Sequence, residues 1–157
     1  MKPFDESLYR EKVNTFPFIR LMGIRLRSAA EGRSVMACRI RPVLRNSFGM
    51  LHGGVLGALV DVSIATALRS VLPLSLRMTT IEYKVNFLKP VVSGTVTAHG
   101  TILRLGSTIA SGTSEIRNGG GETVAFGSAT FYLFEAKGDG KGSGIIGGTK
   151  RGGRKRK

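Results

Sequence analysis

The chain carries one carboxylate in a setting where a carboxylate is out of place. In the stretch 46–70, NSFGMLHGGVLGALVDVSIATALRS, the only polar side chains between Gly53 and Leu68 are Asp61, Ser63 and Thr66. Burying an unpaired carboxylate costs several kcal/mol, so Asp61 needs a partner, water in a cleft, or a chemical task. The stretch is entered through His52-Gly53-Gly54, and Gly57 follows one turn later. Glycines there weaken an isolated helix by roughly 1 kcal/mol each relative to alanine. What they permit is close approach of another backbone or a ligand. The start of a helix also presents unpaired N–H groups and partial positive charge, which suits a developing oxyanion or a phosphate.

Spacing relates the two features. Gly53, Gly57 and Asp61 fall at i, i+4 and i+8, near one face of a helix. At 1.5 Å rise per residue, Gly53 and Asp61 are roughly 12 Å apart along the axis, too far to act together on one small group. Two antiparallel helices remove the difficulty, with Asp61 of one chain meeting the Gly53 end of another. The geometry predicts an active dimer.

The surrounding elements must hold this helix. It is apolar on almost every side, which marks a buried core helix, and it is too short for a charge-free membrane span. Residues 4–13 predict a short helix started by Asp5 or Ser7 and broken at 14–17. Strand-like patterns cover 18–29 and 34–41, joined by a turn at Glu31-Gly32-Arg33. In 78–88, Ile81, Tyr83, Val85 and Phe87 alternate with Thr80, Glu82, Lys84 and Asn86, a half-buried strand with those two sets on opposite faces. Lys89-Pro90 ends it, and 91–105, 107–117 and 122–134 supply three more strands around Gly106 and the run Asn118-Gly119-Gly120-Gly121. The economical packing is α+β: one antiparallel sheet wrapped around one long helix.

Composition limits the rest. At 157 residues the chain suits one sizeable core. Eight Lys or Arg and one Asp fall in 137–157, about half of the formal net charge of +14. Eight glycines and no aromatic residue there predict a disordered basic tail. A tail without a dedicated partner is preferred to one that contacts nucleic acid or an anionic membrane. The organisation expected is an N-terminal arm at 1–17, a domain at 18–136 and the tail. A basic body suits a polyanionic ligand, whether coenzyme A or nucleic acid. The single cysteine, Cys38, excludes an intramolecular disulfide and offers no metal-ligand cluster; a small buried hydrophobe in a strand is its expected role. No metal or separate cofactor is expected. The N-terminus MKPFDESLYR shows no apolar signal region, so a cytoplasmic location is expected. HGGVLGA does not match the dinucleotide fingerprint.

The spacing Asn46-x-x-Gly49-x-x-His52-Gly53-Gly54 with Asp61 inside the helix resembles the hotdog-fold acyl-CoA thioesterases of the PaaI type, named for phenylacetate degradation. The strand end Tyr83-x-x-x-Phe87-x-Lys89-Pro90 and the turn Arg104-x-Gly106-Ser107 are similar too, and the resemblance covers roughly residues 15–135. It implies a hotdog fold and hydrolysis of an acyl thioester at a site shared by two subunits, in a homodimer or homotetramer. Asp61 would be the nucleophile or the base that activates water, and Gly53 N–H would hold the oxyanion. Asn46 and His52 would position the carbonyl or the water, and Thr80 would orient the water. Coenzyme A, as part of the substrate, would lie between Lys89 and the turn at Arg104, Gly106 and Ser107, with Arg117 as a further source of charge.

Two other functions compete. One is a non-catalytic acyl-CoA sensor of the same fold, although the first 17 residues are too short for a helix-turn-helix. The other is a hotdog dehydratase, whose usual His-Phe-Pro motif is absent. The acyl group stays open, with aromatic, medium-chain and polar groups all compatible, as does an acyl-carrier-protein thioester.

Overall fold

The computed structural model describes residues 4–135. The expected basic tail at 137–157 lies outside the described residues.

Helix α1 spans Glu6–Thr15 and is capped by Asp5, whose side chain accepts from Leu8 N at 2.9 Å. Helix α2, Pro17–Met22, follows at once. Strands β1 (Ile24–Ala30) and β2 (Arg33–Arg39) form a hairpin, and a short 3₁₀ turn at Pro42–Leu44 leads to the long helix α3, Gly53–Arg69. Strands β3 (Leu76–Phe87), β4 (Thr95–Leu105), β5 (Ile109–Arg117) and β6 (Thr123–Glu135) complete one six-stranded antiparallel sheet in the order β1-β2-β4-β5-β6-β3. The sheet curls around α3, whose Leu59, Val60, Ile64 and Leu68 are fully buried against Met36, Val96, Ile116 and Phe131. This is the α+β arrangement expected of the hotdog fold.

The helix lies unusually close to the sheet because three neighbouring strands offer it glycine. A β-carbon on Gly100 would stand 2.5 Å from the Ser63 carbonyl oxygen, and one on Gly127 would stand 2.7 Å from Val60. Gly112 faces Ile64 at a similar 2.7 Å. Since the obstacle at Gly100 is helix backbone, Gly100→Ala must push α3 off the sheet. We expect a loss of about 1–3 kcal/mol, read as a lower urea midpoint with unchanged slope.

The other two polar residues between Gly53 and Leu68 are consumed by this packing. Ser63 Oγ lies 2.8 Å from Ser114 Oγ, and Ser34 Oγ donates to the Ser63 carbonyl at 2.7 Å. Thr66 Oγ1 donates to the Val62 carbonyl at 2.6 Å. Both are buried groups satisfied within the core. Of the polar residues between Gly53 and Leu68, Asp61 is left with no role in this core packing.

Three sequence expectations are corrected. Residues 18–22, read as the start of a strand, are helical: Pro17 pre-sets the first turn after an extended Phe16, and Gly23 stops it in the left-handed conformation at φ 69°. The strand expected from residue 91 begins at Thr95, after Pro90 and the positive-φ Gly94. Strand β3 does not alternate throughout. A bulge between Thr80 and Glu82 sets Ile81 out of register, so Thr80 shares the helix-facing side with Tyr83, Val85 and Phe87 instead of opposing them.

The two sheet edges differ. The backbone of β1 is covered by α1, where Asn14 exchanges two hydrogen bonds with Leu26, at 2.8 and 3.2 Å, and Glu6 accepts from Ala29 N at 3.1 Å. Strand β3, twelve residues long, has a strand neighbour on one side only. No helix among the described residues is long and apolar enough to cross a membrane.

Candidate active site

Asp61 sits half-buried at the middle of α3, with Thr80 across from it on β3. Thr80 Oγ1 donates to Asp61 Oδ1 at 2.8 Å. The β3 bulge makes this contact possible by turning Thr80 toward the helix. Burial pushes the Asp61 carboxyl above its ordinary pKa, and the Thr80 hydrogen bond offsets part of that rise. The pair therefore holds a carboxylate that is anchored at one oxygen and unusually ready to take a proton.

The start of α3 is a second construction. His52 is the N-cap, and its Nδ1 accepts from Gly54 N at 2.9 Å, so the proton of the neutral ring resides on Nε2. The next N–H, that of Val55, bonds the His52 carbonyl at 2.9 Å. Gly53 N–H has no partner among the described residues. Asn46 precedes the helix in a tight loop, where its Oδ1 accepts from Phe48 N at 3.0 Å and Met50 N at 3.1 Å. Those two donors fix which way the amide faces and leave Nδ2 as an available donor.

Asn46 and Gly53 line a common cavity of about 370 Å³ with Lys89 at its rim. Neither Asp61 nor Thr80 lines it. One chain thus carries two candidate half-sites on one helix, separated by two turns. The glycines between them admit aromatic rings of β3: a β-carbon at Gly53 would meet Phe87 Cζ at 3.2 Å, and one at Gly57 would meet Tyr83 at 3.5 Å. Alternation already sets Tyr83 and Phe87 on one face of β3; that this face meets the glycines of α3 emerges only in the fold.

The positions expected to hold coenzyme A are spread out. Lys89 Nζ is paired with Glu122 at 2.6 Å, and Arg117 with Glu115 at 2.7 Å, where the guanidinium holds the Glu115 carboxyl down to about 2. Arg104, Gly106 and Ser107 line a separate hollow. Gly106 is glycine because a β-carbon there would stand 2.8 Å from the Ile109 carbonyl oxygen. Strand register places Arg104 in the row of Ser111, Thr130 and Glu82, seven residues before Lys89. At ~3.3 Å per residue that is roughly 20 Å or more from Lys89, so one chain does not bring the two groups to one small patch.

The model of the thioesterase superfamily matches residues 48–125, which includes the helix and both half-sites except Asn46. Among solved structures, the conserved protein PA5202 of Pseudomonas aeruginosa is 28% identical, with a TM-score of 0.75 over 78% of this chain and 98% of that one. A variant of the phenylacetic acid degradation protein PaaI of Thermus thermophilus is 25% identical, with a TM-score of 0.68 over 74% of this chain and 98% of that one. The thioesterase HI1161 of Haemophilus influenzae, 24% identical, shares the fold with a TM-score of 0.78 over 85% and 93% of the two chains. The chain belongs to the hotdog-fold thioesterase superfamily, in its PaaI-like group, and its class of activity is hydrolysis.

Proposed function

We propose that the protein hydrolyses acyl-CoA thioesters at a site made by two copies of the chain. The observation that carries this reading is the arrangement on α3: a half-buried carboxylate anchored by Thr80, and an unpartnered Gly53 N–H two turns earlier on the same face. Ionised Asp61 of one subunit either takes a proton from water as it attacks the thioester carbonyl, or attacks that carbonyl itself. The carbonyl oxygen gains negative charge, which Gly53 N–H of the facing subunit stabilises, with Asn46 Nδ2 beside it as a second donor. Collapse expels the coenzyme A thiolate, which takes up a proton; attack by water frees the acid directly, whereas attack by Asp61 leaves an acyl-aspartyl anhydride that a water then cleaves to release the acid. Thr80 keeps its lone pairs to orient the water, and His52 holds the first turn in place.

Support for the dimer comes from the edges. A long strand edge exposed to solvent is a template for pairing. Strand β3 runs beside the Gly53–Asp61 face, and its Ile81, Tyr83 and Phe87 are 56%, 52% and 60% exposed. Two-fold pairing there would cover that surface and set two α3 helices antiparallel. Coenzyme A enters as part of the substrate, with Lys89 and the turn at Arg104 meeting different parts of it.

Thiol release from a panel of acyl-CoAs tests the reading. Turnover is expected; tight acyl-CoA binding with no thiol release would instead identify a sensor. The pH profile is a further check. Because the ionised carboxylate is the working form, kcat/KM should fall as pH drops through the raised Asp61 pKa, with a midpoint above the ordinary value of about 4. Thr80→Val removes the hydrogen bond that lowers this pKa, so its midpoint should move further up. A midpoint that ignores the Thr80 substitution would point to a different titrating group.

A further inference from the structure

At one end of the sheet, the face turned away from α3 carries a group of exposed apolar side chains. Ile109 of β5 stands directly opposite Tyr132 of β6. Phe134 follows on the same face, its ring stacked on Tyr132 with centroids 6.1 Å apart and planes at 16°. Leu103, the extra residue of the β4 bulge, falls in the next row. These four side chains are 40–67% exposed. Beyond them the face turns polar, with Ser111 opposite Thr130 and Thr113 opposite Ser128. Single exposed apolar residues are ordinary, but a group of them with a polar margin marks a surface that meets something. The fold also fixes what stands beside this group. Strand β6 ends at Glu135, and after Ala136 the run 137–157 carries eight Lys or Arg against one Asp. A net charge of +7 (eight less one) is thus rooted at the apolar patch.

We propose that this end of the molecule seats on an anionic lipid bilayer. Tyr132, Phe134 and Leu103 enter the boundary between headgroups and acyl chains, and the basic run lies against the acidic headgroups. Aromatic rings suit that boundary, with Tyr132 keeping its hydroxyl in the wet layer. A small apolar patch alone holds a membrane weakly, and so does a basic segment alone; the two together make a stable contact. Charge chooses among occupants. A second copy on this patch would bring another run of +7 to the same place. A nucleic acid would answer the charge but leave the aliphatic Leu103 and Ile109 without an apolar partner. No helix among the described residues can cross a membrane, so the contact is peripheral. The sequence alone prefers a tail without a partner; the patch at its root is what the fold adds. The contact leaves the Gly53 cavity open: Phe134 pairs with Arg77, and the Phe87 that rests on Gly53 is ten residues further along β3, roughly 30 Å away.

The test uses the full chain and no substrate, so it stands apart from the hydrolytic reading. The protein has no tryptophan, and Tyr132→Trp therefore places a single reporter in the patch. Sedimentation with vesicles of phosphatidylcholine, with and without phosphatidylserine, gives the affinity. Wild type and Tyr132→Trp should bind the anionic vesicles alike, and about 100-fold or more above the neutral ones, with a loss at high salt. The tryptophan emission should shift to the blue and be quenched by brominated lipid. Replacing both rings, Tyr132→Ser with Phe134→Ser, should weaken binding by about tenfold or more. Vesicles that bind without any change in emission would show that the basic run acts alone, which overturns the proposal. An emission shift produced by a single-stranded oligonucleotide that displaces the vesicles would assign the face to nucleic acid instead. A change of oligomeric state in the double-serine variant, seen by gel filtration without lipid, would assign it to a second copy. The wild-type affinities and the Tyr132→Trp emission decide the matter even where the double variant fails to fold.

Discussion

Asp61→Asn is expected to lower kcat on an acyl-CoA by roughly 10³-fold or more, with acyl-CoA binding retained and thermal stability undiminished. The substitution removes the one group able to accept a proton or attack a carbonyl, yet asparagine still offers Thr80 an oxygen at the same place. The stability half follows from linkage. Burial raises the folded-state pKa of Asp61 above its unfolded value, so the folded form binds the proton more tightly. Between those two values stability falls as pH rises, and above the folded pKa the destabilisation is complete. At pH 7 the ionised carboxylate therefore costs stability, and a neutral isostere relieves it. A group kept for structure would behave in the opposite way, with a lower melting temperature in the variant. Thiol release, calorimetric binding and thermal denaturation on the same preparation separate the two. Near-normal turnover, or a clear loss of melting temperature, would show that Asp61 is not the catalytic carboxylate.

Why this residue was visible in the sequence, and others were not, has a physical basis. A carboxylate inside an all-apolar helical run is a local anomaly, and so is a Gly-Gly pair at a helix start; both are written within a few residues. The central helix, the hairpins and the wrapped sheet follow from periodicity in the same local way. Thr80 is implied by the family resemblance, but strict alternation puts it on the wrong face. A bulge at Ile81 depends on how β3 pairs with β6, some fifty residues later, and no pattern within β3 announces it. Helix α2 was hidden by apolar content: Phe18, Ile19, Leu21 and Met22 read as strand, while Pro17 and Gly23 were the signals that set its ends. Cavity walls from Met50, Leu56 and Val91 join three separate segments, so they emerge only when the chain is folded. The separation of Lys89 from Arg104 is likewise a matter of register.

The proposed division of the site between two chains predicts the second large effect, a recovery instead of a loss. Gly53→Pro deletes the N–H assigned to the oxyanion and little else, since Gly53 is the first residue of α3, where proline is favoured. The preceding His52 has φ −63° and ψ 135°, a conformation that a following proline accepts. Its added carbons press on the exposed Phe87 ring, and Gly53→Ala, which keeps the N–H but carries the same β-carbon, controls for that contact. Gly53→Pro should lose about 10²–10³ in kcat and Gly53→Ala far less. When inactive Gly53→Pro and Asp61→Asn chains are mixed, unfolded and refolded together at equal ratio, half of the dimers pair unlike chains. Each such dimer has one site in which intact Asp61 faces intact Gly53, and one in which both are lost. About a quarter of wild-type activity should therefore return, as two-fold symmetry requires. If each chain instead built its own complete site, every site in the mixture would carry one lesion and nothing would return. The amount recovered thus counts how many chains make an active site; with roughly 12 Å between Gly53 and Asp61 along one helix, the proposed function expects two.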